Sequence, residues 1–170
     1  MWFCGPPEKD SNKNKFDGAY PSGFMKNVKQ GFHKYYPKNT DDILHVCAGR
    51  IPASEGIRLD VDECYDPDYV GNCEIMTVQY PELINRFSWV QADPPYNKQA
   101  SEKYYNKPML NKGLLLKQMS LCVKIGGIVA MLDQDIITNA PRNLKRMAII
   151  GVTVNPNKQI RAFNVYQRVS

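Results

Sequence analysis

Phe87-Ser88-Trp89-Val90-Gln91-Ala92 runs directly into Asp93-Pro94-Pro95-Tyr96. The first six residues form a short apolar and aromatic run of the kind that makes a buried strand. The next four cannot continue it. Two prolines remove two backbone donors and stiffen the chain just past the strand end. The Asp93 carboxylate and the Pro94 carbonyl are left as acceptors beside the flat ring of Tyr96, and Pro95 holds the geometry. Such a group of residues suits a planar ligand that carries an exocyclic NH2. Two acceptors take its two hydrogens, and the ring covers its face. A rigid Asp-Pro turn closing a strand is the plainer use of the same residues; the second proline and the aromatic favour the chemical one.

Working outward, the chain alternates apolar runs with turn-forming stretches. Residues 1–18 read as an irregular N-terminal segment rich in Gly, Pro, Lys and Asn. Tyr20-Pro21-Ser22-Gly23 opens a helix of about a dozen residues, with Phe24, Val28 and Phe32 on one stripe. Strands are expected at Ile43–Cys47, Gly56–Asp60 and Tyr69–Cys73. His45, inside the first of these, reads as a packed core histidine. Residues 74–86 hold a loop and a helical turn around Tyr80–Ile84. Leu114–Val123 reads as a helix capped by Gly126-Gly127, followed by a strand at Ile128–Leu132. Asn139–Arg146 reads as a short basic helix, Met147–Val154 as a strand, Asn155–Lys158 as a turn and Gln159–Val169 as a last strand.

The tetrapeptide Asp93-Pro94-Pro95-Tyr96 resembles the signature of amino-methyltransferases that use S-adenosylmethionine, particularly the DNA adenine-N6 and cytosine-N4 enzymes. That resemblance implies an α/β fold: a Rossmann-like three-layer sandwich, a mostly parallel sheet and an antiparallel C-terminal hairpin. It implies catalytic roles for Asp93, Pro94, Pro95 and Tyr96. It places the methionine end of S-adenosylmethionine under Tyr20-Pro21, and its backbone-contacting turn at Cys47-Ala48-Gly49. Asp60 would bind the ribose, with Asp62 and Glu63 as rivals, and Asn72 beside Cys73 would touch the adenine. The family's second glycine after the first strand is absent; Ile51-Pro52 stands near its place. Only residues 48–56 separate the first two expected strands, and the next gap is equally short. Parallel crossovers normally need a dozen or more residues and a helix. The helices after those strands are therefore expected to be shortened or missing, thinning one face, which a second subunit in a homodimer would cover.

The bulk numbers fit this frame. A chain of 170 residues, 43% hydrophobic and 23% charged, is expected to form a single domain over 1–170. No apolar run reaches membrane-spanning length, and the N-terminus lacks the pattern of a signal peptide. Five cysteines without CxxC spacing argue against a disulfide framework or a zinc site and point to the reducing cytoplasm. No metal is required by the chemistry. The net charge of +5 is unevenly spread: residues 41–93 carry three Lys/Arg against eleven Asp/Glu, and residues 94–170 carry twelve against three. Lys98, Lys103, Lys107 and Lys112, interleaved with Tyr104 and Tyr105, suit phosphates and stacked bases. The expected partner is nucleic acid, DNA favoured over RNA. With no separate sequence-reading domain visible, selectivity would be low, come from the 97–112 stretch and the N-terminal segment, or be supplied by a specificity partner. Three other readings stay open: a cofactor-binding accessory subunit with little catalysis, an RNA or protein-amide methyltransferase, and a nucleic-acid-binding module whose Asp-Pro-Pro-Tyr is only a turn.

Overall fold

The computed structural model describes residues 1–6, 20–95, 109–154 and 159–170. In chain order its strands are β1 (Trp2–Cys4), β2 (Ile43–Val46), β3 (Ile57–Asp60), β4 (Tyr69–Val70), β5 (Phe87–Ala92), β6 (Val123–Asp133), β7 (Leu144–Val154) and β8 (Gln159–Arg168). Its described α-helices are α1 (Phe24–Gly31), α2 (Met76–Gln79) and α3 (Lys112–Cys122). The strands make one sheet in the order β1-β7-β8-β6-β5-β2-β3-β4. All neighbours are parallel except at β8, which runs antiparallel to both β6 and β7. This is the expected mostly parallel α/β sheet with its closing hairpin.

The central strands are apolar on both faces because both faces are covered. Successive side chains point to opposite sides of a strand, so Trp89 and Val90, or Ile128 and Val129, serve different cores. Val90, Val129 and Met131 pack with Leu115, Leu116 and Met119 of α3. Trp89, Ile128, Phe163 and Val165 pack with Phe24 and Val28 of α1 and with Phe32 just beyond it. Three layers result. Asn111 starts α3 by accepting the backbone N–H groups of Gly113 and Leu114 on its side chain.

The crossovers after β2 and β3 are as short as the sequence suggests. Each contains a single 3-10 turn, Ala53–Glu55 and Glu63–Tyr65, in place of an α-helix. Asp68 then ties the second crossover down by accepting the backbone N–H of Arg58 at 2.9 Å and pairing with its guanidinium at 3.3 Å.

Four expectations are corrected. Residues 2–4 are not irregular: they form an edge strand in register with Val152–Val154. Trp2 anchors it, its ring 5.6 Å from Phe163 and 6.0 Å from Phe24. Gly31 allows this approach, since a Cβ there would lie 2.9 Å from the indole. Second, α1 ends at Gly31, and turns rather than helix continue past it. Third, Gly126-Gly127 does not cap α3. The helix passes straight into β6, and both glycines lie within that strand. Gly126 has φ +84, and a Cβ on Gly127 would meet the Ser88 carbonyl oxygen at 2.8 Å, where the β5–β6 pairing is irregular. Fourth, 139–146 is no helix. The chain crosses from β6 as turns, and β7 begins at Leu144, because pairing with β8 runs from Leu144↔Arg168 onward. Arg146 lies over the Tyr166 ring, 5.5 Å from its centre, and donates to the Ile137 carbonyl.

Candidate active site

The sheet order fixes where a ligand can sit. From β2 the chain moves to β3 and β4 on one side, then returns to place β5 on the other. In open α/β sheets the crevice at such a reversal, beyond the carboxyl ends of the strands, is the usual binding place. Two sequence-predicted segments meet there: the turn after β2 and the Asp-Pro-Pro segment after β5.

The turn after β2 is tight. Cys47 and Gly49 both have positive φ, 53 and 52. The Ala48 N–H donates to the Leu59 carbonyl at 3.2 Å, and the Gly49 N–H donates to Asp60 Oδ2 at 2.8 Å. Asp60, closing β3, also accepts the Asp62 N–H on Oδ1 at 3.0 Å. It is 5% exposed. Burial raises its pKa, and the N–H groups of Asp62, Gly49 and Val61 oppose that rise. Asp60 therefore shapes the turn through its own carboxylate.

Cys73, beyond β4, comes back against this turn, its sulfur 3.8 Å from that of Cys47. The Cys47 thiol is pushed well up, first by its hydrogen bond to Cys73, then by burial, Cys73 again, Asp60 and Asp93. Asn72 serves the local turn, its Oδ1 accepting the Glu74 N–H at 2.9 Å and its N–H donating to Gln79 at 2.9 Å.

From the α1 side comes Tyr20, its ring 5.1 Å from Phe24 and 6.2 Å from His45. Its hydroxyl is buried. Burial drives its pKa far up, Asp93 adds to this, and the Gln91 side chain, near enough to hydrogen-bond it, opposes the rise. Pro21 is buried, and its carbonyl accepts the Phe24 N–H at 3.0 Å, fixing the entry to α1. Tyr20, Cys47, Asp60, Cys73 and Asp93 thus gather at one end of the sheet, with Pro94 buried behind Asp93 and Pro95 half-buried. Tyr96, Lys98, Lys103, Tyr104, Tyr105 and Lys107 lie outside the described residues.

Lys112, expected as a phosphate ligand, partners a buried acid. Its Nζ lies 2.7 Å from Oδ1 of Asp133, which is fully buried at the end of β6. Pairing of β5 with β6 ends at Ala92↔Met131, and Asp133 closes β6 at the same end of the sheet. Sequence reading missed Asp133; its only signal was an acid ending the apolar run Ile128–Leu132. Gln91 was missed as well. It is fully buried, accepting from Trp89 Nε1 at 3.0 Å and donating to Met25 Sδ at 3.3 Å.

His45 is a buried strand residue, its Nε2 3.3 Å from the Glu55 carbonyl, and Glu55 pairs with Lys29 at 2.7 Å. Burial, only partly offset by Glu55, lowers its pKa from 6.5 to about 4. As pH falls, the unfolded chain takes up this proton first. The stability from neutral His45 is therefore whole above pH 6.5 and drains between there and about pH 4. The loss should reach roughly 3 kcal/mol. Urea unfolding at pH 7 and in the acid range should show that loss in the wild type and a smaller one in His45→Gln. Equal losses in both would rule the residue out as the source.

Solved structures share this arrangement of strands. TrmN from Thermus thermophilus matches with a TM-score of 0.55 and 13% identity, over 76% of this chain and 44% of its own. A Listeria monocytogenes protein assigned to the class I S-adenosylmethionine-dependent methyltransferases matches with a TM-score of 0.51 and 12% identity, over 87% of this chain and 59% of its own. The chain spans about half the length of these proteins. No protein-family model matches it, and no curated protein does. At such identities the likeness is one of fold, and the fold is that of the Rossmann-like methyltransferases.

Proposed function

We propose that the chain is an S-adenosylmethionine-dependent methyltransferase acting on an exocyclic amino group of a nucleobase, with adenine N6 in DNA as the favoured target. One observation carries this reading. The Asp93-Pro94-Pro95 segment leaves β5 at the reversal crevice, beside the tight turn after β2. The residues there suit the cofactor. Asp60 brings a buried carboxylate to the crevice, the Tyr20 hydroxyl is buried beside Gln91 on the α1 side, and the Cys47–Gly49 backbone is bent for close approach. Cys47, Ala48 and Gly49 would face the cofactor's methionine and ribose portions under Tyr20 and Pro21. Asp60 would hold the ribose edge while fixing the turn, and Asn72 and Cys73 would border the adenine. When bound, the cofactor supplies an activated methyl group.

The chain's own residues do the rest. The amine's lone pair is delocalised into its ring. Hydrogen bonds from its N–H groups to Asp93 and the Pro94 carbonyl favour a pyramidal nitrogen and support the positive charge that grows on it. Pro95 stiffens that grip, and Tyr96 would stack on the base. From a duplex the base must first leave the stack. Positioning then supplies much of the rate.

Calorimetric titration with S-adenosylmethionine, followed by mass analysis of nucleosides after incubation with DNA and with RNA, tests the reading. The expected result is saturable binding and N6-methyladenine from DNA. Methylated nucleosides from RNA alone would move the substrate to RNA. Absence of cofactor binding would remove the enzymatic reading for this chain.

A further inference from the structure

Charge is sorted across the sheet. Residues 41–93, which form β2 to β5, carry eleven acids against three bases, whereas residues 109–154 and 159–170 carry eight bases against two acids. On this basic side a groove of about 680 Å³ runs between α3 and the crossover from β6 to β7. Gly113, Lys117, Ser120 and Leu121 form one wall, and residues 138–143 form the other. Two cations, Lys117 and Arg142, line it, both exposed, and no carboxylate does. Among the described residues no acid pairs with either cation.

The groove is built rather than left over. Ser120, 1% exposed, forms its floor, donating to the Lys117 carbonyl at 2.7 Å and accepting from Asn143 Nδ2 at 3.2 Å. The facing wall is held by the Leu144 N–H on the Pro141 carbonyl and by the Val169 N–H on that of Asn143. Its direction matters. Gly113 adjoins Lys112, whose ammonium rests on Asp133 at the carboxyl end of β6. From there to Leu121, α3 rises about 12 Å, length enough for backbone carrying more than one phosphate. Arg142, just before β7 and its Leu144↔Arg168 pair, stands at the other end of the sheet. A cation-lined groove that runs from the carboxyl ends of the strands toward their amino ends fits a polyanion leading away from the site.

We propose that this groove binds the phosphodiester backbone of the substrate strand where it leads away from the target base, with Lys117 and Arg142 each meeting a phosphate. The proposal rests on the nucleobase reading given above. It is tested by fluorescence anisotropy of labelled single-stranded DNA and RNA oligonucleotides at several salt concentrations. Lys117→Gln combined with Arg142→Gln should flatten the slope of log K against log salt by about 1.4–1.8, two phosphates at 0.7–0.9 each. Affinity at low salt should fall at least about tenfold, with S-adenosylmethionine binding and unfolding midpoint unchanged. The DNA and RNA arms show which backbone the groove prefers. An unchanged slope in the double variant, or no binding of either oligonucleotide by the wild type, would overturn the groove. Wild-type binding with the predicted slope change but no methyl transfer would leave the groove standing and remove the enzymatic reading instead.

Discussion

Asp93→Ala should lose methyl transfer, by at least about 10²–10³-fold in kcat, while still binding S-adenosylmethionine. The carboxylate follows β5 at the reversal crevice, where it already raises the pKa of the Tyr20 hydroxyl and the Cys47 thiol. Its proposed task is to accept an N–H and to meet the charge that grows on nitrogen, a contact stronger in the transition state than before it. Removing such a contact lowers kcat more than it raises KM. Affinity for the cofactor should survive because the turn at Cys47–Gly49 is held by Asp60 and by the Leu59 carbonyl. A labelled-methyl assay at saturating DNA, paired with calorimetry, separates the two effects. Near-normal turnover would remove Asp93 from the chemistry. Loss of cofactor binding along with turnover would make it a cofactor ligand.

Lys112→Ala should cost about 3–5 kcal/mol of folding stability, the range for removing one partner of a buried ion pair. Asp133 has no solvent exposure. Its Oδ1 collects the Lys112 ammonium at 2.7 Å and the N–H groups of Gln134 and Asp135 at 2.6 and 3.3 Å. Its Oδ2 has no hydrogen-bond partner among the described residues. Without the ammonium, a carboxylate is left uncompensated in a medium that solvates it poorly. Urea unfolding should show a lower midpoint at an unchanged slope. Adding Asp133→Asn to Lys112→Met should recover most of the loss, because the charge that needed a partner is gone. If the single variant falls by less than about 1 kcal/mol, the pair behaves as a surface pair and the burial argument fails.

The parts of the fold legible in the sequence are those that local pattern dictates. A strand covered on both faces reads as an unbroken apolar run, so β5 and the Ile128–Leu132 stretch of β6 announce themselves. So do the residues that end strands: Gly49 in the turn after β2, Asp60 closing β3 and Asp93 just past β5 stand where the sequence places strand ends. What stayed hidden depends on partners distant in sequence. Trp2–Cys4 is too short to show a period, and only its pairing with β7 makes it a strand. The basic residues Arg142, Lys145 and Arg146 have helix-like spacing, but pairing with β8 overrides local preference from Leu144 onward. Gly126-Gly127 has the composition of a cap, yet Gly126 serves a positive φ within β6 and Gly127 the close approach of β5. The Lys112–Asp133 pair joins residues 21 apart that only the finished β6 brings together.

The edge position of β1 has a consequence for how the molecule is made. Residues 2–4 are synthesised long before their partners Val152–Val154. At synthesis rates of about 5–20 residues per second, Trp2 waits on the order of ten seconds before its seat against Phe163 exists. Until Phe163 has been made, the nascent chain therefore offers chaperones a bulky aromatic handle. A circular permutant that moves residues 1–6 to follow Ser170 would shorten that interval.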